Sequence, residues 1–279
     1  GVEASKTNTT GAANVSVGKE AMLANTTGGS NVAIGQDTMK ANTTASNNTA
    51  VGQNSLSANT TGVSNVAVGK DALALNTTAN NNTSVGKSAL DANTTGASLV
   101  AMGSNALGAN TTASDNTAIG AFALDSNTTG ANNTAVGRSA LDSNTTGTPN
   151  TAVGYFALLL NTTGANNVAV GYQALKADTT GSQNIGIGKY AGCGITTGSD
   201  NISIGRDSMA AAATGSNNVA VGTIALAANT AGFGNTAIGF CALCKNTTGE
   251  VNVAIGCRSM NANTSGNCNT FVGKDAGLS

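Results

Sequence analysis

The chain has no histidine, no tryptophan and a single proline, and its aromatics are three Tyr and five Phe in 279 residues. Without His, general-base chemistry falls to scattered carboxylates. Charge is scarce as well: 9% of residues, with a net charge of −1. No basic patch exists to hold phosphates, so nucleic acid is not an expected partner. No apolar run approaches the ~18 residues that span a bilayer, so no membrane span is expected. The pattern GxxxxGK[ST] does not occur, so the many glycines are no phosphate loop. There is no initiator Met and no signal-like start, and any targeting segment is expected to lie upstream or to have been removed. Low charge with much Gly, Asn and Thr would suit a disordered chain, but a disordered chain has no reason to hold its apolar types in phase.

What the sequence does have is a period. The stretch 133–149, NTAVGRSALDSNTTGTP, recurs every 17 residues, opening on Asn, or once on Leu99, at sixteen positions from 14 to 269. A fixed period this short signals a solenoid or an array. The chain therefore reads as one repeat array over 1–279, with a partial repeat at 1–13, fifteen full repeats over 14–268 and a partial repeat at 269–279.

Counting the leading Asn as position 1, position 2 is always Val, Ile or Thr, and position 4 is Val or Ile except at Met102. Position 3 is small except at Phe271, and position 5 is always Gly. β-Branched residues two apart read as a short strand, and the Gly as the corner that ends it. Position 8 is small and position 9 is Leu or Met, apart from Gly192 and Gly277. Positions 6 to 9 then read as a second short strand or a bend with one inward anchor. Positions 12 to 15, usually Asn-Thr-Thr-Gly, are turn chemistry. Every charged residue avoids positions 1–5, 8 and 9. A helix would smear the charges around a 3.6-residue cycle. The expectation is that positions 2, 4, 8 and 9 lie inside or at an interface, and that 6, 7, 10 and 11 lie outside.

The fold class is thus an all-β β-solenoid, a parallel β-roll or β-helix with one 17-residue coil per repeat. Coils ~4.8 Å apart make a rod roughly 75 Å long. Identical side chains would stack, giving amide ladders at positions 1 and 12 and hydroxyl ladders from the paired Thr. The apolar load of each coil is light. A second face buried against another copy would help, and a homo-oligomer is expected, with a trimer favoured. No capping element is visible at either end, so end-to-end filaments are also allowed.

The blocks Asn65–Gly69, Asn167–Gly171 and Asn218–Gly222, all NVAVG, with NVAIG at Asn31–Gly35 and Asn252–Gly256, resemble the head repeat of trimeric autotransporter adhesins. The longer phrase at Asn150–Leu158 and Asn161–Gly164 is similar to repeats of phage tail fibres and fibre-like bacterial surface proteins. The resemblance covers the full chain and implies a trimeric β-roll in a fibre. The 17-residue period is longer than the usual adhesin-head turn.

Six of the eight aromatics sit at position 6 or 7, and Phe122, Tyr155, Phe156, Tyr172 and Tyr190 fall in coils starting between 116 and 184. They form a candidate surface contact for a cell-surface glycan or a receptor, or else pack on one another or on a neighbouring chain. Of the five Cys, Cys241 and Cys257 fall at positions 7 and 6 of adjacent coils and are the candidate disulfide, within or between chains. Unpaired thiols, or a metal or redox site at Cys241 and Cys244, are the alternatives. Asn25, Asn59, Asn93 and Asn127 open Asn-Thr-Thr triplets that match the N-glycosylation acceptor, although a hydrogen-bonded turn explains them as well. Asp91, Asp125 and Asp142 share position 10 and read as a row of solvated charges. No cofactor, metal or catalytic residue is expected. The functional expectation is a non-enzymatic structural or adhesive segment of an extracellular, cell-surface or virion fibre. The alternative is an ice- or surface-binding β-solenoid that uses Thr ladders, including Thr128 and Thr145.

Overall fold

The computed structural model describes residues 1–211 and 214–278. The chain is an all-β parallel β-solenoid with sixteen three-residue strands at intervals of 17, and no helix among the described residues. It divides into two compact units, Gly1–Arg138 and Ser139–Ser279. The first holds the eight strands from Val15–Val17 to Thr134–Val136, and the second the eight from Thr151–Val153 to Thr270–Val272. The boundary falls inside the coil 133–149, and both units follow the same coil plan.

Within each unit the strands pair in parallel, like position on like position: Ala50 on Ala67 and Ala118 on Ala135 in the first, Ala220 on Ala237 in the second. The Gly corner shows how tight the stack is. Gly120 has φ 136°, and a Cβ on it would stand 2.5 Å from the carbonyl oxygen of Gly137 one coil on. Only glycine fits both the dihedral and the gap.

The strand corrects one half of the sequence expectation: positions 2 and 4 are not inside the coil. Position 3 is the buried one: Ala33, Ala67 and Ala220 are fully covered. Positions 2 and 4 point outward, with Val66 36%, Ile34 39% and Ile187 40% exposed. The reason is the narrow interior. Ala72 and Leu73, at positions 8 and 9, already fill its apolar half, and the Asn residues of positions 1 and 12 fill the other. Only a small side chain fits the remaining gap, and a one-residue shift in a strand flips every side chain. Where position 3 is Ser, its hydroxyl also turns inward: Ser84 Oγ donates to the Ala89 carbonyl at 2.7 Å.

Positions 6 to 9 form turns, not a second strand. Positions 7 and 9 take left-handed backbone, as at Asn54 (φ 57°) and Leu56 (φ 52°), at about 1 kcal/mol or more per non-Gly residue. The reversal keeps the turns in the ladder. Asn54 N–H donates to Gln36 O in the coil before at 3.0 Å, and Leu56 N–H to Ala72 O in the coil after at 2.9 Å. Backbone donors that a loop would leave to water are thereby paired.

The Asn rows split into two kinds. At position 12 of the first unit the amides form a continuous ladder: Asn42 Nδ2 donates to Asn25 Oδ1 at 2.8 Å and Asn76 Nδ2 to Asn59 Oδ1 at 3.0 Å. Each amide also reaches the position 15 carbonyl of its own coil, as Asn59 does to Gly62 O at 2.9 Å. At position 1 the amide oxygen accepts a backbone N–H of the next coil, Asn48 N to Asn31 Oδ1 at 3.0 Å. Its nitrogen closes its own coil, Asn48 Nδ2 to Gly62 O at 2.9 Å. The expected hydroxyl ladder is replaced by a hydroxyl-to-carbonyl one: Thr60 Oγ1 donates to Thr77 O at 3.1 Å. The carbonyl lies along the stack axis, and so wins over the neighbouring hydroxyl.

Candidate functional site

Left-handed position 7 stands beside position 6 on the outer corner of the coil, half-buried in most coils. Four of the five candidate contact residues meet there. In the second unit Tyr155 and Phe156 have ring centroids 3.9 Å apart. Tyr155 stacks with Tyr172 one coil on, 5.5 Å apart and 9° from parallel. Tyr172 meets Tyr190 of the following coil edge to face at 5.3 Å. Phe122 stands in the first unit, 37% exposed. The rings therefore pack on one another, yet Tyr155 and Tyr172 keep about two fifths of their surface open, at 37% and 42%.

The sequence reading missed two cations in this cluster. Lys189 Nζ stands 5.1 Å from the Tyr190 centroid and 5.9 Å from that of Tyr172. Lys176 Nζ lies 6.0 Å from the Phe156 centroid. Gln173 Nε2 donates to the Tyr172 hydroxyl at 3.1 Å. Burial, then the neighbouring Tyr172, raises the Tyr190 phenol above its ordinary value. The signal was present: Lys189 follows Tyr172 by 17 residues and adjoins Tyr190.

The cysteine expectation is corrected. Cys241 is joined to Cys244, with Cα atoms 4.8 Å apart, and Cys257 is a free thiol. The physical reason is the turn: left-handed Cys241 (φ 53°) and Leu243 (φ 49°) fold positions 7 and 10 of one coil onto each other. In the disulfide form the pair offers no thiolate to a metal. Among the described residues no group of three or more His, Cys, Asp or Glu is placed to hold a metal ion.

The triplet asparagines Asn25, Asn59, Asn93 and Asn127 are fully buried. Their amides are members of the position 12 ladder, as in Asn93 Nδ2 to Asn76 Oδ1 at 3.1 Å and Asn127 Nδ2 to Asn110 Oδ1 at 3.1 Å. A glycan on any of them would break that bond and has no room in the coil. Asp91 and Asp142 are partly covered, and burial raises both carboxyls above their ordinary value.

A second feature is the outward sheet face. Positions 2 and 4 set two parallel rows of Val, Thr and Ile side chains on it, one pair per coil in each unit. No family model, no curated protein and no solved structure matches this chain. The fold and the two surfaces therefore carry the functional argument.

Proposed function

We propose that this chain is a non-enzymatic structural or adhesive segment of an extracellular, cell-surface or virion fibre. In this reading it assembles as a homo-oligomer, a trimer, through the rows at positions 2 and 4. The Tyr155, Phe156, Tyr172 and Tyr190 cluster faces the outside partner. The observation that carries the reading is the outward sheet face. β-Branched side chains stand in register on it, half-buried in most coils and exposed in the rest. Completing the burial of one such side chain contributes about 1 kcal/mol, roughly half of the full-burial value. Repeated in every coil, a weak contact becomes a strong one. The resemblance to fibre repeats points the same way.

The test is the mass of the chain in solution by sedimentation equilibrium, with scattering for its dimensions. A trimer that Val66→Lys with Val68→Lys dissociates supports the reading, and a compact globular monomer overturns it.

One observation favours the ice- or surface-binding alternative on a different set of residues. Thr128 and Thr145 belong to position 13, where the hydroxyl is engaged by a backbone carbonyl, as at Thr145 Oγ1 to Thr162 O at 3.0 Å. Position 2, by contrast, presents outward Thr on a regular strand, with Thr117 directly beside Thr134. Thermal hysteresis that Thr117→Lys abolishes would favour this alternative, and none at high concentration would dismiss it.

A further inference from the structure

The aromatic cluster has a chemical identity beyond exposed rings. It holds all three tyrosines of the chain. From residue 143 to 199 the charged residues are Lys176, Asp178 and Lys189. Asp178 is fully buried. Both remaining charges of that stretch are ammonium groups, and both stand on the rings; one coil on, Asp207 acts on Tyr190 but is paired with Arg206 at 3.1 Å. We propose that this platform binds an acidic polysaccharide, with pyranose faces on the Tyr155 and Tyr172 rings and carboxylate or sulfate groups on Lys176 and Lys189. The inference rests on the adhesive reading above and names its ligand class. A purely apolar partner would have to strip water from two ammonium groups. A polyanion without flat apolar faces would leave the rings unused. An acidic sugar chain meets both demands, since its C–H faces stack on aromatics and its anions pair with lysine. The rings repeat once per coil along the stack, so successive sugars of an extended chain meet successive coils.

With no tryptophan present and all three tyrosines in this cluster, the tyrosine emission of the chain comes from it alone. Tyrosine fluorescence of the full chain is titrated with a polyuronate oligosaccharide and with its carboxyl-reduced, neutral counterpart. The expected result is saturable binding of the polyuronate that weakens with added salt, and weaker binding of the neutral chain. Tyr172→Ala is expected to weaken polyuronate binding about tenfold. Lys189→Gln is expected to weaken it about threefold and to flatten the salt dependence. Equal binding of both sugars, insensitivity to Tyr172→Ala, or no response to either overturns the proposal. If binding fails while the trimer persists, the ligand is wrong and the fibre stands. If a monomer binds the sugar, the ligand stands and the fibre is wrong.

A second observation carries an independent inference. The position 12 ladder stops in the second unit. Asn161 Nδ2 donates to Asn144 Oδ1 at 2.9 Å, but Asn161 Oδ1, buried, has no partner of its own. The residue one coil on, whose amide would donate to it, is Asp178. The following coil has Ile195 at that position. One Asp178 oxygen accepts Gly181 N–H at 2.9 Å and the other accepts Asn184 Nδ2 at 3.0 Å. The geometry points to Asp178 as a neutral acid whose O–H donates to Asn161 Oδ1, so that a proton takes the place of the missing amide. The titratable groups of this coil and its two neighbours are Tyr155, Tyr172, Lys176, Lys189, Tyr190, Cys193 and Asp200. None sets the state of Asp178. Burial raises its carboxyl from 3.8 to about 7, against the opposing pull of Asn184 and Gly181.

The sign follows from linkage. With its folded value raised, Asp178 is protonated in both states below 3.8 and does not weaken the fold there. Between 3.8 and about 7 only the unfolded chain releases the proton, so stability falls with rising pH and levels off above. Denaturant unfolding across that range is compared with Asp178→Asn, which restores the ladder. The wild type is expected to lose stability towards neutral pH, and the variant to lack that component and to be the more stable at alkaline pH. Equal slopes overturn the inference. At about pH 6 the infrared difference between the two proteins is expected to show a protonated carboxyl, since the folded value lies above that pH. A carboxylate band in its place overturns it as well.

Discussion

The two units share one coil plan and differ in how strictly they keep it. In the first unit position 12 is Asn in every coil, from Asn8 to Asn127. Position 9 is Leu or Met in every coil there after the opening partial one, as at Met22 and Leu107. In the second unit Asp178, Ile195 and Ala212 interrupt the Asn row, and Gly192 and Gly277 remove the position 9 anchor. The losses compensate. Ile195 Cδ1 lies 3.0 Å from where a Gly192 Cβ would stand, so the large apolar group has moved from position 9 to position 12 of the same coil. Gly186, at position 3, leaves space for Leu175, whose Cγ would be 2.7 Å from a Cβ there. The comparison teaches that the coil needs a filled interior more than it needs a given residue at a given place. Two of the three coils that carry the outer aromatic cluster, those of Tyr172 and Tyr190, are among the irregular ones.

The largest expected effect tests the ladder. Asn59→Ala would strip a donor from Asn42 Oδ1 and from Gly62 O, and an acceptor from Asn76 Nδ2. Gly62 O keeps Asn48 Nδ2, so two buried groups, Asn42 Oδ1 and Asn76 Nδ2, each lose a bond at about 1–3 kcal/mol, and a loss of about 4 kcal/mol is expected. Above about pH 7, where Asp178 is ionised and donates nothing to Asn161 Oδ1, Asn161→Ala is expected to cost about half as much, because Gly164 O keeps Asn150 Nδ2 and only Asn144 Oδ1 loses its donor. Denaturant unfolding of both variants measures the difference. Equal losses would mean that the ladder is no more continuous in the first unit than in the second.

The Gly corner gives a smaller contrast. Gly120→Ala places a Cβ 2.5 Å from Gly137 O at φ 136°, and is expected to cost about 3 kcal/mol in strain and displaced backbone. Gly188→Ala, in the irregular coil, has φ 126° and meets Gly205 only at 3.0 Å. About 1–2 kcal/mol is expected there, from the dihedral more than the contact. Thermal melts of the two variants would rank them. The reverse order would mean that the corner of the second unit is the tighter one.

Much of this architecture was legible in the residues. The period, the three-residue strand, its closing Gly and the Asn-Thr-Thr-Gly turn all stand where the spacing puts them. The facing of the strand was not legible by hydrophobicity, because three residues carry too little pattern to choose a side. The size restriction at position 3 held the answer: a place that takes Ala, Ser or Gly is limited by packing. The exception supports this, since Phe271 lies 3.0 Å from where a Gly277 Cβ would stand and fills the space that Gly277 leaves at position 9. The aromatic cluster was legible from its phase, but its lysines were not, because charge and ring were read as separate rows. Cys241 and Cys244 lay in plain view. Their pairing depends on two left-handed residues within one turn, and no residue type in that stretch announces them.

The smallest effect concerns that pair. The disulfide joins residues three apart, Cys241 to Cys244, within one coil of the second unit. Closing so short a loop removes little freedom from the unfolded chain, about 2 kcal/mol by the loop-entropy relation. The turn is also held without it: Cys241 N–H donates to Thr223 O at 3.1 Å in the coil before, and Leu243 N–H to Ser259 O at 3.0 Å in the coil after. Reduction is therefore expected to lower stability by at most about 2 kcal/mol, less than the loss from Asn59→Ala in the disulfide-free first unit. Unfolding with and without reductant, with Cys241→Ser and Cys244→Ser together as the control, measures it. Collapse of the second unit on reduction would mean that its irregular coils depend on a covalent tie, and that compensation inside the coil does not suffice.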